Sequence, residues 1–599
     1  MPDWSYHQIF KPVIKHLSPT TSREFIHRSM NMVASLPDGH HIINFLGREE
    51  SSPLLTTEVN NIHFKHTVGL SGKIDPLLSG TKAFSNLGFS FIEIGPITID
   101  SKKGTAPEVN FQEEYIKFSN DFESIGLDET KRKLHKLKLQ QKLLMSLVGN
   151  EQELKTMILE LEELADVFII QEDMAKKGNI FSTTKPIYVA TPIQSLNDHT
   201  LDFFETFDGI VLDEDWLTTN NTDELIKKIR YLKKSEFTKP IVTVGGVKEP
   251  NDALLLLEAG ADLIMLSSGY VFAGPGLTKR INEAVLTTRQ EKIIPQLGWK
   301  YYWLFGLFIL FGGIIALFIS LTSVLLPYDE QFLRMNKESI WIFNERILLF
   351  MSHDRMTLAG TMISGGIVYM NLASYGVKKG LRWAKQAIDL AAITGFLGIF
   401  LFIGYGYFDW LHLLFWLLLL PFYVLGFLKT KGIINTPTST NTKNHKIWKQ
   451  SLFGQLAFVM LGFSFVLGGI IISYIGVTSV FVPTDLLYIC MPPELIQLFN
   501  ERLIPVIAHD RAGFGSALFS VGLLVLTVSL WGFQQGNKWV WWTLFIGGIP
   551  AFITGISIHI AIGYTTFIHL LPAYIALMLF FTGLIWSYRF FQKQTDELR

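Results

Sequence analysis

The chain has 599 residues, 49% of them hydrophobic and 13% aromatic, with a formal net charge of −1. It is too long for one domain, and its balanced charge gives no electrostatic case for a nucleic-acid partner. One cysteine, Cys490, excludes an intramolecular disulfide and a thiolate-built metal centre, and no metal site is expected.

The start, Met1-Pro2-Asp3-Trp4, lacks the charged-then-apolar layout of a signal peptide, so the first domain is expected in the cytoplasm. Residues 60–290 alternate short apolar runs with helical patterns. Strands are predicted at 68–71, 91–95, 143–147, 167–171, 186–191, 209–213, 240–245 and 263–268, the number that closes a β/α barrel. The basic stretch 130–141 reads as a solvated helix face, with anionic lipid as an alternative contact. The last two strands carry the main chemical signal. Val244-Gly245-Gly246-Val247 ends one and Ser267-Ser268-Gly269 ends the other, and backbone N–H groups there can cradle a phosphate.

Around these residues the sequence resembles a known family. Lys239 to Gly246, Asp252-Ala253, Glu258-Ala259-Gly260-Ala261, Gly269 to Pro275 and Lys279-Arg280-Ile281-Asn282 look like dihydroorotate dehydrogenase of the quinone-linked, membrane-associated class. Val68-Gly69-Leu70-Ser71-Gly72 and Phe91 to Thr98 resemble its first two strand ends. Tyr6 to Leu46 resembles the helical segment that sits on the membrane and forms a quinone tunnel in that class.

The resemblance covers 5–290. It implies FMN, oxidation of dihydroorotate and quinone as electron acceptor, with Gly245, Gly246, Ser268 and Gly269 at the phosphate and Ser71 and Gly72 against the flavin. The catalytic positions depart from the pattern. Lys73 is displaced from the family's first lysine, and Ala190 stands at the flavin-contacting lysine. Gln171 to Gly178 contains no serine, although the family carries its base there. The sixth strand ends Asp213-Glu214-Asp215, and Ser119-Asn120 follows the second strand in place of a substrate asparagine. A mouth that gains these acids, with Glu172 and Asp173, should repel an anionic substrate. A non-catalytic barrel that senses a small phosphorylated ligand is the alternative reading.

From Tyr301 onward, spans are predicted at 303–326, 350–374, 388–407, 410–428, 452–480, 505–531, 538–562 and 567–588. Phe343-Asn344-Glu345-Arg346 and His353-Asp354-Arg355 return as Phe499-Asn500-Glu501-Arg502 and His509-Asp510-Arg511, each displaced by 156 residues. Gly312-Gly313, Pro327, Asp329, Gly376 and Trp383 repeat at the same offset, as Gly468-Gly469, Pro483, Asp485, Gly532 and Trp539. Four spans per copy imply two parallel repeats. Lys378, Lys379, Arg382, Lys429, Lys431, Arg589 and Arg599 fall on one side, expected to be cytoplasmic with the barrel and the C-terminus.

His353, Asp354, Arg355, His509, Asp510 and Arg511 are candidate functional residues. Three readings stay open for them: capped helix starts at the interface, Asp–Arg pairs with a proton-carrying or quinone-binding histidine, and bridges between repeats involving Glu345 and Arg346. Haem ligation by paired histidines among His412, His559 and His569 is a further option, and Asp389 is the acid of the spans read as a candidate to line a path.

The expected architecture is therefore α/β followed by all-α: a (β/α)8 TIM barrel fused to a polytopic membrane domain of about eight helices. Its parts are a membrane-associated segment at 1–59, the barrel at 60–296, repeats at 301–431 and 451–590, a linker at 432–450 and a tail at 591–599. The lipid bilayer is the expected partner, and the oligomeric state is left open.

Overall fold

The computed structural model describes residues 2–47, 52–177, 182–196, 201–213, 222–289, 296–403, 406–433 and 439–593. Glu214 and Asp215 of the expected acidic mouth, Gly178 and Arg599 lie outside the described residues. The chain divides into two compact units, Met1–Glu291 with Thr436–Lys446, and Lys292–Asn435 with Ile447–Arg599.

In the first unit eight parallel strands close into a barrel. They are β1 (Val68–Leu70), β2 (Phe91–Ile97), β3 (Lys142–Leu147), β4 (Val167–Gln171), β5 (Ile187–Pro192), β6 (Gly209–Asp213), β7 (Ile241–Val244) and β8 (Leu263–Leu266). Each pairs with its sequence neighbour, and β8 returns to β1. The strands are apolar on both faces because one face fills the barrel and the other meets helices. Phe91, Leu144, Ile169, Tyr188, Ala190, Val211, Val244 and Met265 form the inner cluster. Ile92, Met145, Phe168, Val189, Leu212 and Ile264 belong to the outer one.

A hairpin, Thr57–Val59 with Ile62–Phe64, closes the end where the strands begin. Phe64 meets Phe91 edge-on at 5.4 Å, and Asn60 Nδ2 donates to Tyr188 Oη at 3.2 Å. The ends of the strands are thereby left for chemistry at the other mouth. Helices Pro19–Ser35 and Gly39–Gly47 precede the barrel, and Val13, Phe25, Met32 and Leu36 leave exposed apolar surface on this segment.

The stretch expected as a linker contributes to this unit. Asn444 donates through N to Glu249 at 2.8 Å and through Nδ2 to the Lys248 carbonyl at 2.8 Å. It accepts from buried Arg280 at 2.6 Å.

The second unit is helical: α1 (Trp299–Thr322), α2 (Lys337–Asn371), α3 (Arg382–Ile403), α4 (Trp410–Lys429), α5 (Lys446–Val477), α6 (Leu503–Trp531), α7 (Lys538–Ile562) and α8 (Phe567–Gln592). Among the described residues, seven helices are long and apolar enough to cross a membrane; α3 is the one of the eight outside that set. It carries Lys385 and Asp389, whose side chains pair at 2.5 Å, and Tyr302 Oη also donates to Asp389 at 2.5 Å. Asp389 is thus held within the helix packing.

Glycines bring α1 against α2 and α5 against α6. A Cβ on Gly313 would lie 3.0 Å from the Ala359 carbonyl oxygen, and one on Gly469 2.7 Å from that of Gly515. Such small residues let helix backbones approach without side chains between them.

Candidate functional site

A cavity of about 890 Å³ begins among the N-terminal helices and ends at the mouth of the barrel. Its outer part is mostly apolar, with Ile14, Leu17, Ile26, Met30 and Phe84. Its inner part gathers Lys73, Glu93, Ser146, Gln171 and Asp213, with Ala190 and Val244 behind them. Ser119 and Asn120 line it from the loop after β2. Ser71, Gly72, Gly245, Gly246, Ser268 and Gly269 do not line it.

Ser71 and Gly72 follow β1 and are turned to Glu93 of β2. The Ser71 hydroxyl and the Gly72 N–H each donate to Glu93 Oε2 at 2.9 Å. A Cβ on Gly72 would sit 2.4 Å from the Gly95 carbonyl oxygen, so this close crossing admits only glycine. Burial raises the Glu93 carboxyl above its ordinary range, against the opposing pull of those hydrogen bonds and of Lys73. Lys73 Nζ lies 2.6 Å from Asp213 Oδ2, spanning the mouth from β1 to β6.

Where the family resemblance places a serine base, Glu172 is engaged on both oxygens. It accepts from Thr191 Oγ1 at 2.5 Å and pairs with Lys176 at 2.5 Å, and it is not a cavity residue.

The loops after β7 and β8 meet behind Val244. Gly245 and Gly246 have φ of +82° and +68°, in the left-handed region that favours glycine. Backbone N–H groups of a glycine turn at strand ends are of the kind that meets an anion. Gly245 N–H, however, already donates to the Met265 carbonyl at 3.1 Å. A Cβ on Gly269 would approach the Val247 carbonyl oxygen to 2.1 Å, which ties the two loops together. Ser268 is buried beside them. Glycine N–H groups and a serine hydroxyl are donor types that a phosphate accepts from, although the Gly245 N–H is already taken. The ring side keeps Ser71, Gly72 and a lysine committed to Asp213, with apolar Ala190 where the resemblance implies a second lysine.

In the second unit the repeated phrases interlock. Phe343 stacks on Phe499 with centroids 3.6 Å apart. Asn344 Nδ2 donates to the Ile489 carbonyl and Asn500 Nδ2 to the Leu333 carbonyl, both at 2.9 Å. Arg346 donates to the Tyr488 carbonyl at 2.8 Å and Arg502 to that of Phe332 at 2.7 Å. Both asparagines leave helical geometry, with φ of −161° and −158°, which frees their side chains for this exchange.

The charges cross over in the same way. Arg355 Nε meets Asp510 at 2.7 Å and its Nη1 meets Asp329 at 2.9 Å; it also donates to the Val324 carbonyl. Arg511 Nε meets Asp354 at 3.4 Å, and its Nη1 donates to Asp485 and, at 2.7 Å, to the Val480 carbonyl. Tyr407 Oη donates to Asp329, and Tyr564 Oη to Asp485 at 2.7 Å.

His353 to Arg355 lie well inside α2, which begins at Lys337 and is capped by Asn336 accepting from Ser339 N. Asp354 is therefore paired with arginine and histidine rather than capping a helix start. His353 Nδ1 lies 2.9 Å from Asp354 Oδ1, and His509 Nδ1 3.4 Å from Asp510 Oδ1. The partners Asp329, Asp485, Tyr407 and Tyr564 were not singled out as site residues. The aspartates share the 156-residue offset and the tyrosines one of 157, which is the signal that marks them.

No family model matches the chain. Over 339 residues it is 22% identical to a quinone-dependent dihydroorotate dehydrogenase of Christiangramia forsetii, covering 47% of this chain and 98% of that protein. A 48-residue stretch is 54% identical to the corresponding protein of Chloroflexus aurantiacus, 8% of this chain and 13% of that one. A crystal structure of dihydroorotate dehydrogenase from Eimeria tenella, in complex with ferulenol, is 17% identical. It covers 47% of this chain and 94% of its own, with a TM-score of 0.37, and the fold assignment rests on strand order instead. The N-terminal half is thus similar to quinone-dependent dihydroorotate dehydrogenase, and these relatives leave the C-terminal half unmatched.

Proposed function

We propose that the first unit is a flavoprotein that passes electrons from a small reduced substrate to quinone, and that the substrate is not dihydroorotate. The observation that carries this reading is the cavity, apolar among the N-terminal helices and polar at the strand ends. An apolar entrance suits a quinone, while the exposed Val13, Phe25, Met32 and Leu36 suit contact with the bilayer that supplies it. FMN, when bound, supplies two-electron chemistry toward the substrate and electron transfer toward the quinone.

Gly245, Gly246, Ser268 and Gly269 would hold its phosphate, and Ser71 and Gly72 would face its ring. Lys73 and Asp213 neutralise one another across the mouth, and Glu93 is the remaining acid there. An anionic substrate therefore meets no uncommitted positive group among these residues, which argues against dihydroorotate. Glu93, with its raised affinity for a proton, is the group suited to exchanging one with a bound substrate. The second unit is read as a tandem duplication in the bilayer, with both chain ends on the cytoplasmic side, on the strength of the reciprocal pairs and the basic loops.

The test is the absorbance and extractable flavin of detergent-purified full-length protein, followed by reduction of a soluble quinone with candidate substrates. Flavin at about one equivalent per chain supports the reading; colourless protein with no extractable flavin refutes it. The Lys73–Asp213 pair also suits a barrel that binds a ligand without turnover. That second reading is favoured by flavin that stays bound but is not reduced by any substrate.

A further inference from the structure

The second unit brings three imidazoles from three helices to one point. His353 of α2, His559 of α7 and His569 of α8 place a nitrogen each within 4.8 Å of the others. His559 Nε2 lies 2.9 Å from His353 Nε2 and 2.9 Å from His569 Nε2.

The outer nitrogens of two of the rings have acceptors behind them. His353 Nδ1 lies 2.9 Å from Asp354 Oδ1, and an ionised carboxylate can only accept. His559 Nδ1 lies 2.5 Å from the Gly555 carbonyl oxygen, which likewise only accepts. These contacts turn the Nε2 atoms of the two rings toward each other. A proton or a metal cation between those atoms satisfies both. A carboxylate or carbonyl behind an imidazole is also the arrangement that orients metal-ligating histidines.

Charge points the same way. Asp329, Asp354, Asp485 and Asp510 are all buried, and the arginines bound to them are Arg355 and Arg511. Asp354 and Asp485 are the acids on this side, both paired with Arg511, while Asp329 and Asp510 are paired with Arg355. The acids beside the imidazoles thus outnumber the arginine, which favours a cation there.

We propose that His353, His559 and His569 bind a divalent transition cation of the zinc class, with a fourth position left to water or an exogenous ligand. Tetrahedral bonds of about 2.0–2.1 Å require ligand nitrogens about 3.3 Å apart; the two pairs at 2.9 Å need to part only slightly, and the third pair lies within 4.8 Å. Trans ligation of a haem iron would require about 4 Å, with the macrocycle between, and three converging nitrogens leave no place for it. A second group, Asp409, His412 and His509, also has ligand atoms within 4.8 Å. There Asp409 already accepts from the helix N–H groups of Leu411 and His412 and meets His412 Nδ1 at 2.6 Å. Its donors are turned on one another, and the three-histidine group is the one assigned.

The proposal is independent of the flavin reading. Full-length protein in detergent is stripped with chelator, titrated with zinc, desalted and assayed for bound metal by mass spectrometry. Cobalt titration reports tetrahedral coordination through visible absorption. Wild type is expected to retain about one equivalent at this site. His569→Ala, at the start of α8 and only partly buried, is expected to lose it while keeping its helical circular dichroism. His559→Ala should lose it too, and Asp354→Asn should weaken affinity about 10–100-fold. No retained metal in wild type overturns the assignment. So does unchanged metal in folded His569→Ala, or loss in His412→Ala without loss in His569→Ala.

Discussion

Arg355→Met tests the crossed ion pairs. Arg355 binds Asp510 at 2.7 Å and Asp329 at 2.9 Å, and those aspartates are 5% and 1% exposed. The substitution keeps most of the side-chain volume and leaves both carboxylates without their strongest partner. Breaking a buried pair in this way costs about 3–5 kcal/mol, because a charge stays behind without compensation. At about 2–4 °C per kcal/mol for a unit of this size, apparent melting in detergent should fall by about 6–20 °C. Tryptophan fluorescence reads the transition. The double variant Arg355→Met with Asp510→Leu should recover part of the loss, since one orphaned charge is removed with its partner. Lys155→Ala breaks an exposed pair with Glu151 and should cost under about 1 kcal/mol. A melting temperature for Arg355→Met within about 2 °C of wild type, at normal expression, would refute the reasoning.

Gly269→Ala drives a methyl group to within 2.1 Å of the Val247 carbonyl oxygen and should part the two loops. Retained flavin should then fall severalfold with the barrel still folded; unchanged flavin content would remove those loops from the site. Burial pushes His66 down to about 4, so the folded state keeps it neutral. The unfolded chain binds the extra proton between about pH 6.5 and 4, so barrel stability should be full above that window and fall by about 3 kcal/mol as pH drops through it. His66→Gln should flatten that slope in urea titrations, and an unaltered slope would count against it. Asn444→Ala removes one acceptor for Arg280 and one donor to Lys248, about 1–3 kcal/mol of local anchoring. Limited proteolysis should then cut near 439–446 more rapidly than in wild type.

The eight barrel strands were legible because each is a short run of Val, Ile and Leu, apolar on both faces and bounded by polar turns. The strand β7 is expected at 240–245 and found at Ile241–Val244, where Gly245 turns left-handed and ends the pairing. Helix α2 was read from 350, yet it starts at Lys337. Residues 337–349 carry Lys337, Glu338, Asn344, Glu345 and Arg346 among their apolar side chains and are kinked at Asn344, so hydropathy passes over them. The repeated phrases announced that polar groups were paired, but not with whom. Partners such as Asp329 for Arg355, or His559 for His353, lie on other helices, and periodicity within one segment carries no such information. At the barrel mouth, residue identities exposed the departure from the family. That Lys73 would close on Asp213 depends on β1 and β6 facing each other across the barrel.

The exchange of side chains between the two four-helix halves has a consequence for how the chain is built. Each arginine bridges an aspartate of its own half and one of the other, and each asparagine binds the other's backbone, so neither half alone can make these contacts. Two identical halves associating as separate molecules could satisfy that requirement, but both junctions would then be chemically the same. Joined in one polypeptide, they are free to diverge. Position 409 is aspartate beside His412, while the corresponding position, 566, is threonine beside His569. The two junctions therefore share their crossed ion pairs and differ in the side chains beside them.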